Sequence, residues 1–316
     1  MAIEMAVKIL VCDPIHQDGI TLLKNTEGFE VTEKPTITAT ELEQDIAGYD
    51  AGIVRGRTKI TAEDIQNGNR LRIIARSGVG LDNIDLGSAR KKGVKVIATP
   101  AAPTTSVAEL TIGLVLAIIR KISYADKAIK DGRWIKSELM GSELKSKTVG
   151  IVGAAGRIGL EVARIAVQGF GATVLGYDVI DFTERAQQVG FTPIKDLGQL
   201  LNRSDIVSIH VPYLPSTHHL INAKAIGEMK KGSILINPSR GDIVDGQALL
   251  EALKSGKVSG AGLDVFHKEP PSDEWEKELT RLPNVVCTAH LGAQTSECQR
   301  LESTQLAEQL IEALKT

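Results

Sequence analysis

Aromatic side chains are scarce in this chain of 316 residues, which has five Phe, four Tyr and two Trp. Ile, Val, Leu and Ala are abundant instead, so the hydrophobic core has to be aliphatic and largely β-branched. Such cores are typical of parallel sheets, whose strands are buried on both faces and read as short aliphatic runs. The shortage of aromatic residues therefore favours an α/β protein.

Cysteine is also rare. The three cysteines, Cys12, Cys287 and Cys298, are too few and too scattered for a disulfide framework or a metal cage. We therefore expect a protein of a reducing compartment, the cytoplasm, and we expect no bound metal.

Neither an excess of one charge nor a long hydrophobic run is present. The 37 basic residues nearly cancel the 39 acidic ones, and the pI is about 6.3, which argues against nucleic-acid binding. The most apolar segment, residues 110–119, is about half as long as a membrane span. The N-terminal apolar run is short and follows Glu4, which is unlike a signal peptide. We expect neither a nucleic-acid nor a membrane partner.

Short aliphatic runs alternate with amphipathic segments along the chain. This alternation predicts parallel sheets with right-handed crossovers. At roughly 150 residues per domain, the length favours two domains. The predicted strands are Val7–Cys12, Gly52–Val54, Arg72–Ala75, Val94–Ala98, Thr148–Val152, Thr173–Tyr177, Ile206–His210, Ser233–Asn237, Ala261–Val265 and Val285–Thr288.

The domain boundary is predicted near a proline-containing loop that ends at Pro103. Prolines resist the continuation of the preceding strand, so one domain covers about residues 1–98 and a second begins near 99. After the loop, Ser106–Lys130 reads as one long helix. The last helix, Ser296–Lys315, is compatible with either domain on periodicity alone.

A glycine-rich turn begins directly after the predicted strand Thr148–Val152. It reads either as G-x-x-G-x-x-G from Gly153 or as A-x-G-x-x-G from Ala154, and both readings place Gly156 and Gly159 at the start of a helical pattern. The next strand ends in Asp178, 19 residues after Gly159. A turn in this context binds a dinucleotide pyrophosphate, and the acid accepts hydrogen bonds from ribose hydroxyls and repels a 2′-phosphate. The pattern therefore favours NAD over NADP, although a turn that needs glycine only for packing remains an alternative.

Three charged residues, Arg240, Glu269 and His290, each follow a predicted strand. If these strands are parallel neighbours, the three side chains leave from the edge at which open α/β sheets bind ligands. The three suit the reduction of a 2-oxo acid: the histidine donates a proton to the carbonyl oxygen, and the glutamate favours its charged form. The arginine pairs with the substrate carboxylate.

Each of these residues also has a simpler interpretation. Glu269 precedes two prolines and, taken alone, is typical of a solvated loop acid. A single histidine after a strand is as often structural as functional, so the argument depends on the joint placement. The other five histidines are interpreted as structural or surface residues: His16, His210, His218, His219 and His267.

Seven stretches of the chain together resemble one known family. They are Ser77–Asp85, Ser106–Leu110, Met140–Leu144, His210–Pro212, Ile236–Gly241, Gly262–Phe266 and His290–Ala293. Over nearly its whole length the chain resembles the D-isomer-specific 2-hydroxyacid dehydrogenases, and within them the short-form members that act on 3-phosphoglycerate.

The resemblance implies two doubly wound parallel-sheet domains, a Rossmann NAD domain inserted into a flavodoxin-like substrate domain. Residues 1–98 and 291–316 then form the substrate domain and residues 99–290 the NAD domain. Arg240, Glu269 and His290 become the catalytic residues, with His290 as acid and base. Arg55, Val79, Gly80 and Arg240 become the substrate contacts, and Arg57 is a further candidate. The implied cofactor contacts are Gly156, Arg157, Ile158, Gly159, Asp178, His210, Val211, Pro212, Pro238, Ser239, Asp264, Gly292 and Ala293.

The implied activity is NAD-dependent oxidation of 3-phospho-D-glycerate in serine biosynthesis, by a homodimer. Reduction of glyoxylate or hydroxypyruvate is an alternative, and so is a non-catalytic NADH-sensing protein. The glycine turn also resembles that of formate dehydrogenases, but those enzymes carry Gln where this chain has Glu269. Pro103 stands where many relatives have Asn, so a cofactor contact at that position is not expected.

Overall fold

Two parallel β-sheets organise the chain, one of five strands and one of seven. The computed structural model describes residues 6–315. Each sheet belongs to a separate unit: one unit holds the residues up to Pro103 and those from Ala293 onward, and the other holds Thr104–Gly292. The second unit is therefore inserted into the first along the chain. The predicted fold class, two doubly wound parallel-sheet domains, is confirmed.

The first sheet has the strand order β2-β1-β3-β4-β5, the flavodoxin-like arrangement. Its central strands are aliphatic and wholly buried; Ile9, Ile53 and Ile74, for example, have no exposed surface. The strands are β1 (Val7–Val11), β2 (Phe29–Glu33), β3 (Ala51–Val54), β4 (Ile73–Arg76) and β5 (Lys95–Ala98). The helices that connect them are α1 (Gln17–Lys24), α2 (Ala39–Asp45), α3 (Ala62–Asn67) and α4 (Leu86–Lys92).

The second sheet consists of β6 (Thr148–Val152), β7 (Thr173–Tyr177), β8 (Thr192–Ile194), β9 (Ile206–Ile209), β10 (Ser233–Asn237), β11 (Val258–Leu263) and β12 (Val285–Cys287). Their order is β12-β11-β10-β9-β6-β7-β8, so the chain starts in the middle of the sheet and winds outward in both directions. In such sheets ligands bind outside the carboxyl ends of the strands, at the point where the winding reverses. Here that point lies between β6 and β9.

The helices of the second unit are α5 (Thr104–Ile119), α6 (Ile122–Lys130), α7 (Arg157–Arg164), α8 (Thr183–Val189), α9 (Leu197–Arg203), α10 (Ala223–Glu228), α11 (Gly246–Lys254) and α12 (Glu274–Arg281). A single π-helical turn over Ile165–Gly169 continues α7. Within residues 6–315, no helix combines the length and the apolar character that crossing a membrane requires.

The last helix, α13 (Ser296–Lys315), packs against α1 in the first unit. The Ser303 hydroxyl donates to the His16 carbonyl over 2.7 Å, and Arg300 pairs with Asp18 over 2.6 Å. Gly19 permits the close approach, since a Cβ there would lie 2.4 Å from the Ser303 carbonyl oxygen. The end of the chain thus returns to the unit in which the chain begins.

The prediction of one helix over Ser106–Lys130 is wrong. The structure has two helices, α5 and α6, and the chain breaks at Lys121, whose φ of 55° is left-handed. A left-handed residue commonly ends a helix. The Ile119 carbonyl, which a continuous helix would use internally, accepts instead from the Ser142 N–H over 2.9 Å.

Two strands, β2 and β8, were not predicted from the sequence. Both lie at a sheet edge, where one side of the strand has no neighbour. The sequence of β2 is FEVTE, which contains charged residues, and β8 contains Pro193. Edge strands can contain charged residues and tolerate proline. No aliphatic run therefore marks β2 or β8 in the sequence.

Candidate active site

The three predicted catalytic residues follow three neighbouring strands of the second sheet. Arg240 follows β10, Glu269 follows β11 and His290 follows β12. β11 pairs in parallel with both β10 and β12, so their carboxyl ends meet at one edge of the sheet. The topology thus brings together three residues that are spread over a span of 50 positions in the sequence.

His290 and Glu269 form a direct hydrogen bond. The imidazole Nδ1 and the carboxylate Oε2 lie 2.7 Å apart, and each side chain is roughly half exposed. His290 has a left-handed backbone with a φ of 53°. A non-glycine residue in this region costs free energy, and such residues cluster at active sites, ligand clamps and switch regions. Because Nδ1 is held by Glu269, Nε2 is the nitrogen that can exchange a proton with another molecule.

The charge state of Glu269 is set by opposing effects. Partial burial raises the pKa of this carboxyl, but the hydrogen bond from His290 and the charges of His290 and Arg240 lower it, as does a bond from the Phe266 N–H. The net effect holds the pKa of Glu269 below its usual range, so the group is a carboxylate at neutral pH.

Asp264 anchors the segment that carries His290. Its side chain is completely buried and accepts three hydrogen bonds, from the Thr288 hydroxyl (2.5 Å), the Leu291 N–H (2.7 Å) and the Gly292 N–H (2.9 Å). Its backbone carbonyl accepts from the His290 N–H over 2.8 Å. Sequence reasoning missed this role. The available signal was a carboxylate at the end of an aliphatic strand, which has to be satisfied where it is buried.

The segment that carries Arg240 is held by buried Asn237. The amide nitrogen of Asn237 donates to the Arg240 carbonyl over 2.8 Å, and its oxygen accepts from the N–H and the hydroxyl of Ser239. The half-buried Arg240 guanidinium donates through Nη1 to the Ser239 carbonyl over 2.7 Å. This bond holds one nitrogen of a planar, charged group, and such groups are suited to pairing with carboxylates.

The glycine turn after β6 is compact and has little room for side chains. Gly153 has a φ of 93°, and a Cβ at Gly159 would lie 2.3 Å from the Gly153 carbonyl oxygen. Helix α7 begins after Gly156, and no side chain caps it. Asp178 accepts from the Ala155 N–H over 3.0 Å, which ties the end of β7 to the turn. An uncapped helix start whose backbone can be approached closely is suited to an anion.

His210 lies directly after β9 and packs against the glycine turn. A Cβ at Gly153 would lie 2.7 Å from the His210 carbonyl group, so glycine is required there for a second reason. The ring Nε2 lies 2.8 Å from the Ser208 hydroxyl oxygen. Burial lowers the pKa of His210 to about 3, so the ring is neutral at pH 7 and supplies no charge to the site.

Comparison with known proteins identifies the family. Residues 112–292 match the family described as D-isomer specific 2-hydroxyacid dehydrogenase, NAD binding domain. The chain belongs to the D-isomer-specific 2-hydroxyacid dehydrogenases. This confirms the predicted family, an NAD-dependent enzyme, and NAD as the cofactor.

The relatives of this dehydrogenase are named for different substrates. The chain is 44% identical to a hydroxypyruvate reductase of Thermotoga maritima, over 97% of this chain and 98% of that one. It is 42% identical to a D-3-phosphoglycerate dehydrogenase of Methanocaldococcus jannaschii over 98% of this chain, but spans 58% of that longer protein. A D-lactate dehydrogenase from Aquifex aeolicus, solved with NAD and lactic acid, is similar with a TM-score of 0.83, at 30% identity over 98% of this chain and 94% of that one.

The residues of the dehydrogenase's glycine turn fit a dinucleotide. The uncapped start of α7 and the glycines at 153, 156 and 159 leave backbone N–H groups accessible to a pyrophosphate. The exposed Arg157 stands at the first helical position. The predicted cofactor contacts follow six strands of the second sheet: the turn after β6, Asp178 after β7, residues 210–212 after β9, residues 238–239 after β10, Asp264 after β11 and residues 292–293 after β12. Their individual contacts with NAD stay predictions.

Replacement of Asp178 by serine is expected to narrow the preference for NAD over NADP by at least tenfold. The carboxylate repels a 2′-phosphate and accepts hydrogen bonds from the ribose hydroxyls, whereas serine is neutral. The ratio of kcat/KM values for the two cofactors measures this effect. Asp181→Ser is the matched control, because Asp181 lies in the same loop and bonds to Thr183. An unchanged ratio in Asp178→Ser would place the ribose contact elsewhere.

The predicted substrate residues of the first unit stay predictions, and the structure gives them local roles as well. The half-buried Arg55 lies 3.8 Å from the buried carboxylate of Glu302. Val79 is exposed, and Gly80 next to it is partly exposed. Arg57, the additional candidate, is engaged within its own unit: it donates to the carbonyls of Cys12, Pro35 and Ile37 and pairs with Asp13. Arg57 therefore has few donors left for a phosphate.

Proposed function

We propose that the chain catalyses the NAD-dependent oxidation of 3-phospho-D-glycerate to 3-phosphohydroxypyruvate, a step of serine biosynthesis. The observation that carries the chemistry is the His290–Glu269 hydrogen bond beside the strand that leads to Arg240. The choice of substrate is supported by several phosphoglycerate dehydrogenases that are 38–42% identical to this chain. Each of these relatives is longer, and the chain spans 54–58% of their length.

His290 moves the proton in the proposed reaction. Bound NAD would supply the acceptor for the hydride that leaves C2 of the hydroxy acid. The neutral imidazole accepts the C2 hydroxyl proton at Nε2 and becomes charged, while Glu269 stabilises that charge at Nδ1. In the reverse direction the same nitrogen returns the proton to the carbonyl oxygen.

Arg240 binds the substrate carboxylate in this proposal. The planar guanidinium donates two parallel hydrogen bonds to a carboxylate, which fixes its position and orientation. Its positive charge also polarises the neighbouring C2 oxygen. The hydrogen bond from Nη1 to Ser239 restricts the arginine, so less entropy is lost when the substrate binds.

Replacement of Glu269 by glutamine is expected to lower kcat at least about tenfold. Glutamine retains a hydrogen-bond acceptor for Nδ1 of His290 but carries no charge, so the charge that the imidazole gains in the proposed reaction is not stabilised. Partial burial raises the pKa of Glu269, but the bond from His290 and the nearby charges hold it below its usual range, so the native carboxylate loses its charge only as the pH falls through that lowered pKa. We therefore expect the same loss of kcat throughout the neutral range, and equal kcat values for the two proteins would contradict the role of the carboxylate charge.

Reduction of hydroxypyruvate or glyoxylate is the second candidate function. It is favoured by the hydroxypyruvate reductase of Thermotoga maritima, which matches the present chain over nearly the whole length of both. Arg57 is also engaged within its own unit, which leaves it few donors for a substrate phosphate. Both functions use Arg240, Glu269 and His290 in the same roles. They differ in whether the protein also has to bind a substrate phosphate.

A parallel assay distinguishes these functions. NADH loss is followed with phosphohydroxypyruvate, hydroxypyruvate and glyoxylate at equal concentrations. We expect the highest kcat/KM with phosphohydroxypyruvate. A preference for either unphosphorylated acid would overturn the proposed substrate in favour of the second candidate. Binding of NADH without turnover of any of the three would favour a non-catalytic NADH sensor.

We also propose that the chain forms a homodimer. Helix α6 and the segment after it expose apolar side chains, with Ile122 53%, Ile129 54%, Trp134 81% and Met140 85% exposed. These four side chains lie within 19 residues of the chain, and exposed apolar side chains that form a contiguous patch mark an interaction site. Light scattering is expected to give the mass of two chains and, for Trp134→Glu combined with Ile129→Glu, the mass of one. Two chains in both proteins would place the interface elsewhere.

A further inference from the structure

Asp242 and His267 lie two residues from the residues assigned to catalysis. Asp242 follows Arg240, and His267 precedes Glu269. Their side chains meet: Oδ1 of Asp242 and Nδ1 of His267 lie 2.5 Å apart. Neither residue takes part in the proposed proton transfer or carboxylate binding. From the sequence alone, His267 was interpreted as a structural or surface residue.

The two segments also touch through their main chains. A Cβ at Gly241 would lie 2.1 Å from the carbonyl carbon and oxygen of Phe266, so only glycine fits at this contact. The Phe266 N–H in turn donates to Oε1 of Glu269 over 3.2 Å. The main-chain contact is steric: it sets how closely the segments approach and limits their displacement. A directional hydrogen bond beside it can further restrict displacement along the contact.

Both partners of the Asp242–His267 bond are anchored on the side away from each other. The Asp242 carbonyl accepts from the His219 N–H over 2.8 Å. The segment after His267 is held by Glu276, which is almost completely buried and accepts from the Lys268 N–H over 3.1 Å. Displacement of either side chain would therefore be transmitted to its own segment.

Packing alone does not fix this pair. Asp242 and His267 line a cavity of about 450 Å³ together with Trp275, whose ring centroid lies 6.2 Å from that of His267. The His267 side chain is 46% exposed and that of Asp242 is 29% exposed. Side chains beside a cavity lack the neighbours that would hold them in one place, so the hydrogen bond has to hold these two.

We propose that Asp242 and His267 are a positioning pair, whose hydrogen bond fixes the Arg240 segment relative to the Glu269 segment. This role rests on the proposed function, because the spacing matters only if Arg240 binds the substrate carboxylate and Glu269 orients His290. Catalysis depends steeply on such spacing, and a misplacement of about 1 Å can cost about 100-fold in rate. The main-chain contact at Gly241 limits the displacement, so we expect a smaller effect here.

Four variants test the pair. Asp242→Ala and His267→Phe both remove the hydrogen bond, and the phenylalanine retains a ring beside Trp275. Each is expected to lower kcat about tenfold and to raise KM for the 2-oxo acid, with KM for NADH changed by less than about twofold. The double variant is expected to be no worse than either single one, because both remove the same bond. His267→Asn, whose amide nitrogen replaces Nδ1, is expected to restore kcat to within about twofold of the unmodified enzyme.

The control is Lys277→Ala, which breaks the exposed pair with Glu274 on α12 of the same unit and is expected to leave both constants unchanged. Thermal unfolding of every variant identifies any that fails to fold, and the folded single variant that removes the bond, compared with His267→Asn, then decides. Kinetics of Asp242→Ala and His267→Phe equal to those of the control would overturn the positioning role, as would losses that add in the double variant. The proposed function fails separately, if variants of His290 and Arg240 keep full activity.

Discussion

Replacing His290 with alanine is expected to lower kcat for 2-oxo acid reduction by about 100-fold or more, the usual scale for loss of a general acid. Alanine cannot deliver a proton to the carbonyl oxygen, and water has to replace it. KM is expected to change less, because Arg240 still binds the carboxylate. Stopped or continuous assays of NADH loss with saturating oxo acid measure kcat directly.

The controls for this variant follow from the local structure. The His290 side chain is 48% exposed, and its segment is held through backbone atoms by Asp264, so the segment is expected to keep its position in the alanine variant. Thermal unfolding should therefore change little. His218→Ala, an exposed histidine in the same unit, is the matched control and should keep normal turnover. Near-normal turnover of His290→Ala would remove His290 from the mechanism.

The buried parts of the fold could be predicted from the sequence because burial leaves a pattern there. Aliphatic runs such as Thr148–Val152 and Ser233–Asn237 were predicted with the bounds that the structure has. Edge strands and helix ends depend on neighbours that are distant in the sequence. The break at Lys121, for example, is accompanied by a hydrogen bond from Ser142, 21 residues later, and no local periodicity signals it.

The candidate site likewise has features that the sequence predicts and features that depend on distant contacts. Arg240, Glu269 and His290 could be placed at one sheet edge because each follows a predicted strand, and parallel strands align their carboxyl ends. The bonds that hold these residues are formed between loops. Asp264 reaches three groups in the segment 288–292, and Asp242 pairs with His267, contacts that depend on loop paths which residue types alone do not specify.

Arg57 shows that a residue type can also suggest a function for which the folded protein leaves few groups available. The sequence places it two residues after Arg55, which suggests a pair of cations for a phosphate. In the structure its guanidinium instead bridges three backbone carbonyls and the carboxylate of Asp13. Positive charge in a sequence indicates the capacity to bind an anion, but not whether the protein already uses that capacity. The phosphorylated substrate thus depends on the relatives and on Arg55.

Replacing Arg240 with lysine is expected to lower kcat/KM for the 2-oxo acid by about 100-fold or more, although the charge is conserved. Truncating one partner of a hydrogen-bonded charge pair costs about 2–5 kcal/mol. Lysine has one nitrogen instead of a planar fork, so it cannot donate a bidentate pair to the carboxylate. In this chain the nitrogen would also have to replace the bond from Nη1 to the Ser239 carbonyl. Most of the loss should be in KM, with KM for NADH unchanged.

A second substrate tests whether the lower kcat/KM of Arg240→Lys comes from weaker binding of the substrate carboxylate. An aldehyde or ketone without a carboxylate should be reduced slowly by both proteins and at similar rates, because it has no group for Arg240 to bind. The segment itself should stay in place, since Asn237 holds it through the backbone carbonyl of residue 240 and not through the side chain. Equal losses with both kinds of substrate would mean that the lysine disturbs the site as a whole. A loss confined to the 2-oxo acid would assign carboxylate recognition to the guanidinium fork.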